Sequence, residues 1–296
     1  MLGTLCVRAM LIGASGLLLA APVMAQSVLG PGGYTENFDS MGAAGTVAPT
    51  GFQVFQIVGG SATWINDTGS NSTPDIGAIP NGASAAGGNP SGALVVNNSP
   101  TGNQNNGYNA TGASGAAADR GITTAPTGIA GSVIQLTITN NTGAAQTSLL
   151  ASYDIRRYQV GADNATRTPG AGIPEGSDEL PGYWLLYSLD NGVNFTAVNS
   201  LIPVGAGPST NPIVPNTLGV TSVVAAPIFF GGALNPGSNL ILRWVDDNAI
   251  DPSPDQIIGL DNVRLGVIPE PSTLVLSSLM LLVGGGVVRR RRRSAA

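Results

Sequence analysis

The run Val133–Thr139, VIQLTIT, alternates without a break: Val133, Gln135, Thr137 and Thr139 fall on one side of an extended chain, and Ile134, Leu136 and Ile138 on the other. A period of two is the signature of a half-buried strand, and it excludes a helix over the same residues. Short β-rich runs of this kind recur between residues 26 and 268, each bounded by glycine, asparagine and proline, and none has the spacing of a long amphipathic helix. The pattern predicts strands over Phe52–Val58, Ala62–Ile65, Ala93–Asn97, Val133–Thr139 and Ser148–Val160. It predicts five more over Tyr183–Leu189, Asn194–Val198, Val223–Phe230, Leu240–Val245 and Gln256–Leu265. Ten short strands imply an all-β body, an antiparallel β-sandwich of jelly-roll type. Asn66–Gly92 and Asn98–Ala118 hold too few large apolar residues to build a core and read as long loops. Tyr183–Leu189, then Asp190-Asn191-Gly192, then Val193–Val198 reads as a β-hairpin with Gly192 at positive φ.

The residue inventory removes whole classes of chemistry. The 296-residue chain has no histidine and no lysine, which excludes Ser-His-Asp and Cys-His catalysis, histidine-ligated zinc, Schiff bases and a P-loop lysine. Its one cysteine, Cys6, lies near the N-terminus, so the body has neither a disulfide nor a reactive thiol and depends on burial for stability. Between Gln26 and Ile268, six arginines face sixteen aspartates and glutamates, a net charge of −10. A body of that sign repels phosphate backbones and is not a nucleic-acid binder.

Both ends differ from the body. The start, MLGTLCVRAMLIGASGLLLAAPVMAQ, places Arg8 before an apolar run from Ala9 to Ala21 and then Val23-Met24-Ala25, the small-residue pattern that signal peptidase cuts. Residues 1–25 are therefore expected to form a signal helix removed after Ala25, with an uncleaved anchor as the alternative. At the other end, Pro269-Glu270-Pro271 precedes an apolar segment over 272–288 and five arginines, Arg289, Arg290, Arg291, Arg292 and Arg293. Thr273–Val288 as a helix reaches roughly 24 Å, short of the ~30 Å hydrocarbon core, so flanking residues complete a transmembrane crossing. Guanidinium groups are costly to translocate and stay on the cytoplasmic face, which puts the chain ahead of them outside. The two prolines keep Glu270 in an extended conformation, the form in which proteases bind their substrates.

Pro-Glu-Pro, apolar span and terminal arginine cluster, in that order, resemble the PEP-CTERM sorting signal of Gram-negative bacteria. The resemblance covers residues 269–296. It implies export through the signal peptide, transient anchoring in the inner membrane, recognition of Pro269-Glu270-Pro271 by exosortase, and release or transfer to the outer surface or extracellular matrix. Members of that group often accompany exopolysaccharide production. Within the body, residues 26–268, the segments YTENFDSM, LTITNNTGAAQTSLLASYDIRRY, YWLLYSLDNGVNF and LRWVDDNAIDPSPDQIIGLDNVRL resemble, in this order, secreted bacterial jelly-roll domains of the concanavalin or carbohydrate-binding type. That likeness brings no catalytic residues with it. SLDNGVNF also resembles an Asp-box at Ser188, Asp190, Gly192 and Phe195, a structural motif that in one copy indicates a hairpin.

Three groups in the body have the residue types of a site. Asp246, Asp247, Asp251 and Asp255, leading to Asp261, are hard oxygen donors at the irregular loop spacing that suits Ca²⁺, with Glu36 and Asp39 joining if the first and last strands pair. A solvated acidic loop is the alternative. Glu175, Asp178 and Glu179 precede Tyr183-Trp184, a composition open to a sugar site or a hydrolase and equally to a polar loop. Arg156-Arg157 beside Tyr153 and Tyr158 could form a sugar- or anion-contacting face, while Trp64, Trp184 and Trp244 sit in strands where a core role is the default. The expectation for the whole is an exported structural or interaction protein without catalysis. Binding of exopolysaccharide by a calcium-stabilised body is the alternative.

Overall fold

A computed structural model of the chain describes residues 27–57, 93–102, 105, 107–129, 131–161, 182–201, 217–247 and 254–268. The expected signal helix, the transmembrane helix over 272–288, the strand Ala62–Ile65 and the loop Asn66–Gly92 lie outside these residues. The described chain is all-β. Its strands are β1 (Ser27–Leu29), β2 (Tyr34–Glu36), β3 (Phe52–Ile57), β4 (Val95–Val96), β5 (Gly107–Thr111), β6 (Arg120–Thr124) and β7 (Gly131–Asn140). There follow β8 (Gln146–Gln159), β9 (Trp184–Ser188), β10 (Thr196–Ala197), β11 (Gly219–Leu234), β12 (Asn239–Asp247) and β13 (Ile257–Val267).

Two sheets form. Sheet I runs β1–β7–β12–β9–β10, with β3 also paired to β7, and sheet II runs β11–β8–β13–β6–β5–β4, with β2 also paired to β13. The expectation of a purely antiparallel sandwich is corrected in two places, since β1 joins β7 in parallel and β4 joins β5 in parallel. Both parallel partners are strands of two or three residues, short enough to be laid against a neighbour by the chain that leads into them.

The core lies between the sheets. Ile134, Leu136 and Ile138 of β7 point into it, as their alternation requires, and meet Leu149, Ala151, Tyr153 and Ile155 of β8 and Leu260, Val263 and Leu265 of β13. Trp244 of β12 joins the two layers, its ring edge-on to Tyr153 at 5.8 Å and stacked on Phe52 at 6.4 Å. The opposite face of sheet I is not open to water as a one-sided strand would have it. Val133, Gln135, Trp184, Leu186, Arg243 and Val245 are all buried there.

The long loop expected over Asn98–Ala118 is also corrected, because β5 lies within it and all five of its residues are buried. Small residues are what that strand needs. A Cβ at Gly107 would stand 2.9 Å from Val54 Cγ1 and 3.1 Å from Leu94 Cδ2. Arg120 of β6, fully buried, holds this corner together through neutral acceptors: Nε donates to Asn109 Oδ1 (2.7 Å), Nη2 to Asn109 O (2.8 Å) and Nη1 to Asn98 Oδ1 (2.8 Å).

Candidate functional site

The first and last parts of the body do pair, through Glu36↔Val263, Thr35↔Arg264 and Tyr34↔Leu265. This brings YTENFDSM to the seam between the sheets. After β2 the chain turns sharply: Phe38 adopts φ 60, its amide donates to Glu36 Oε1 at 2.7 Å, and its buried ring meets Phe52 edge-on at 4.9 Å. A left-handed phenylalanine is unfavourable by itself. Here ring burial and the glutamate bond hold it, and the 3-10 turn Asp39–Met41 follows. Asp39 Oδ1 accepts from the Arg120 amide at 2.9 Å, so this carboxylate anchors the turn to sheet II.

Beside the turn lies a cleft of about 390 Å³. Tyr34, Glu36, Ser40, Met41, Ala48 and Pro49 are among the residues that line it. Ser27 of β1 and Thr50 line it as well, and Ser27 Oγ donates to Thr50 O at 2.6 Å. The next residue, Gly51 at φ 84, admits nothing larger: a Cβ would stand 2.6 Å from Ser27 Oγ and 2.8 Å from Thr137 O. The Tyr34 hydroxyl is buried beside the Ser27 hydroxyl. Burial, with a lesser contribution from the Glu36 charge, pushes it up to about 12, and the Ser27 hydroxyl close by only partly offsets this. The sequence reading singled out Glu36 and Asp39 as cation ligands and missed the cleft. Its wall over residues 47–50 carries no local signal.

The predicted aspartates take separate places. Asp246 of β12 is fully buried between the sheets, with Oδ2 accepting from Thr124 Oγ1 of β6 (2.5 Å) and Oδ1 from Gln256 Nε2 (3.0 Å). Thr124 Oγ1 also lies 3.0 Å from the Tyr183 hydroxyl, which donates to Ile258 O at 2.7 Å. Gln256 Oε1 accepts from Arg157 Nη1 at 2.8 Å, so an amide separates the acid from the nearest guanidinium. Burial raises Asp246 well above the usual carboxylate range.

Asp255 is buried too, and burial raises it. Asp261 lies on the face of sheet II turned away from sheet I, paired across the strands with Asp154. Its Oδ2 accepts from the Ala113 amide (2.7 Å) and its Oδ1 from the Asn262 amide (2.6 Å), which fastens the connection between β5 and β6 onto the sheet. Burial first, then the neighbouring charges of Asp119 and Asp154, hold Asp261 at about 7. Among the described residues no three histidine, cysteine or carboxylate side chains come together as a metal site. The side chain of Asp247 and all of Asp251 lie outside the described residues.

The remaining candidates separate as well. Strand alternation splits the arginine pair: Arg157 and Tyr153 are buried toward the core, while Arg156 and Tyr158 share the outer face of sheet II, with the guanidinium 5.1 Å from the ring centre. Arg156 Nη1 donates to Gly112 O (2.5 Å) and Tyr158 donates to Thr111 O, so both serve the connection that Asp261 holds. Trp184 and Trp244 are fully buried and present no exposed platform.

The hairpin forms as expected, with Thr196↔Tyr187 and Ala197↔Leu186 in register and Gly192 at φ 84. Its turn is built on Asp190, whose Oδ1 accepts from Ser188 Oγ (2.7 Å) and the Asn194 amide (2.9 Å), and whose Oδ2 accepts from Asn194 Nδ2 (2.7 Å). These bonds, the Asn194 amide first, lower Asp190 to about 2. Phe195 packs under Arg243, the guanidinium 4.1 Å from the ring centre. The Asp-box residues thus have a structural job.

Ala25, Pro269, Glu270, Pro271, Arg289, Arg290, Arg291, Arg292 and Arg293, together with Trp64, Glu175, Asp178 and Glu179, lie outside the described residues. No helix among the described residues is long and apolar enough to cross a membrane. A comparison of the chain with models of known families and with curated proteins finds no match.

Proposed function

We propose that this chain is an exported protein of the cell surface or extracellular matrix, delivered by its two ends and acting through its β-sandwich body in a structural or interaction role without catalysis. Residues 1–25 direct export, with signal peptidase cutting after Ala25. The tail from Pro269 then holds the chain transiently in the inner membrane, and exosortase cuts or transfers it at Pro269-Glu270-Pro271.

The observation that carries this reading is the order of the tail. An extended acidic tripeptide, an apolar span and five consecutive arginines occur within 28 residues. Each part supplies what the next step requires: a protease-accessible strand, a lipid-compatible segment, and a charge that will not cross. The fold is in keeping with it. The last strand, β13, ends at Val267, so a cut at Glu270 leaves both sheets whole. The jelly-roll likeness of the body belongs to the same proposal.

The test is the orientation of the tail. A reporter that is active only in the periplasm, fused after Ala296, stays silent on this account, and the same reporter fused after Ile268 is active. Activity after Ala296 would overturn the proposal.

A further inference from the structure

We propose that the first part of β11, Gly219 to Val224, is a self-association edge: a second copy of this chain adds the same segment to it in antiparallel pairing, joining sheet II of the two copies about a two-fold axis. The inference rests on this edge alone and stands whether or not the tail is a sorting signal.

β11 is the outermost strand of sheet II, and among the described residues its ladder runs to β8 alone. It is 16 residues long. The other sheet ends are closed by shorter strands, since β4 and β10 have two residues each, β1 has three and β3 has six. A long edge presents a row of backbone donors and acceptors to any strand that arrives, and short length or charge is what usually prevents that. β11 has neither safeguard, because no charged residue occurs between Asp190 and Arg243.

Other safeguards are present, but only in the later part of the strand. The register with β8 shifts between Val223 and Ala226 and again between Phe229 and Leu234, Ala225 stands at φ 48, and Pro227 has no amide hydrogen to offer. That part is also tied down: Pro227 O accepts from Ser200 Oγ at 3.3 Å, and the Gly231 amide donates to Tyr187 Oη of β9 at 2.9 Å. From Gly219 to Val223 the strand is regular, five residues in unbroken register with Arg157 to Tyr153. Its apolar side chains lie open as well, Val220 at 44 % exposure and Val224 at 77 %, with Leu218 at 67 % just ahead of the strand.

Charge and symmetry select the occupant. The body carries −10, so two copies repel each other over most of their surfaces, and an acidic peptide is repelled in the same way. This edge is the uncharged exception. The carboxylate beside it on β8, Asp154, already accepts from Ser222 Oγ (2.5 Å) and Asn262 Nδ2 (2.8 Å), which leaves a basic peptide little to hold. An antiparallel edge is its own complement about a two-fold axis. With the axis at Ser222, Val220 of one copy faces Val224 of the other and Thr221 faces Val223, apolar and β-branched pairs of the kind that stabilise a ladder.

Sedimentation equilibrium of the full chain, in a neutral detergent at matched solvent density, reads the association over a concentration series. A reversible monomer–dimer equilibrium is expected. Val220→Lys combined with Val224→Lys, and separately Val220→Glu combined with Val224→Glu, set like charges against each other across the axis at exposed positions. Each double variant is expected to raise the dimer dissociation constant at least about tenfold. An equal mixture of the two sets lysine against glutamate and is expected to restore dimers, and melting curves identify any variant that fails to fold. A parent chain that stays monomeric throughout leaves the edge to a strand of another protein and overturns the proposal. So do folded double variants that dimerise as tightly as the parent, or a mixture of the two that stays monomeric.

Discussion

Thr124 Oγ1 donates to Asp246 Oδ2 at 2.5 Å across the space between the sheets, joining β6 of sheet II to β12 of sheet I inside the core. A lone carboxylate at such depth would be destabilising. This one is raised well above its ordinary range by burial and is satisfied by Thr124 and Gln256. Arg157 stands one amide away, on Gln256 Oε1.

Removing either partner of that link has different costs. Thr124→Val keeps the shape and strips the hydroxyl, leaving Asp246 short of a bond, and is expected to destabilise by about 1–3 kcal/mol in urea denaturation. Asp246→Asn preserves one donor and one acceptor and is expected to stay within about 1 kcal/mol of the parent chain at neutral pH. A large loss for Asp246→Asn would show that the ionised acid is what the core requires.

Asp261 gives the fold a pH dependence of definite sign. Its folded value of about 7 lies above that of an unfolded aspartate. The unfolded chain therefore loses this proton first, and stability falls as pH rises from about 4 to about 7. Asp246, also raised, acts in the same direction. The melting temperature is expected to decline over that interval, and Asp261→Asn to flatten the decline. A melting temperature that rises with pH over the interval would contradict the assignment.

Asp190 has the opposite sign. Lowered to about 2, it supports the β9–β10 hairpin above the ordinary carboxylate range and releases it as pH falls toward 2. Amide exchange at Asn194, which donates to Asp190 Oδ1, is expected to accelerate between about pH 4 and 2. In Asp190→Asn that acceleration disappears.

Gly107 tests the packing of the strand that composition conceals. With Val54 Cγ1 at 2.9 Å from the position of a Cβ, Gly107→Val has no room and is expected to cost about 1–3 kcal/mol, read as a shifted denaturation midpoint. A neutral outcome would mean that β5 does not pack against β3.

Where side chains alternate between large apolar and polar, the fold was legible in advance. Over β7, Ile134, Leu136 and Ile138 alternate with Gln135 and Thr137 and declare the strand and its core-facing side, although the opposite face of sheet I is largely buried as well. β5 and β6 were hidden for a physical reason. Their interior is filled by polar residues with internal partners, Asn109 and Arg120, and by glycines that leave room for neighbours, so neither looks apolar along the chain. The cleft was hidden for another, since β2 has three residues and its wall at 47–50 is brought close only by long-range pairing. The dispersal of Asp246 and Asp261 has the same origin: they are close in sequence, but a strand in each sheet carries them to opposite sides of the core wall.

The central claim is that the tail addresses the body to the surface and is then removed. Mass spectrometry of the surface-exposed protein from its native host reads this directly in the C-terminal residue. The account predicts chains ending near Glu270, with both sheets intact. A mature surface pool ending at Ala296 would contradict it.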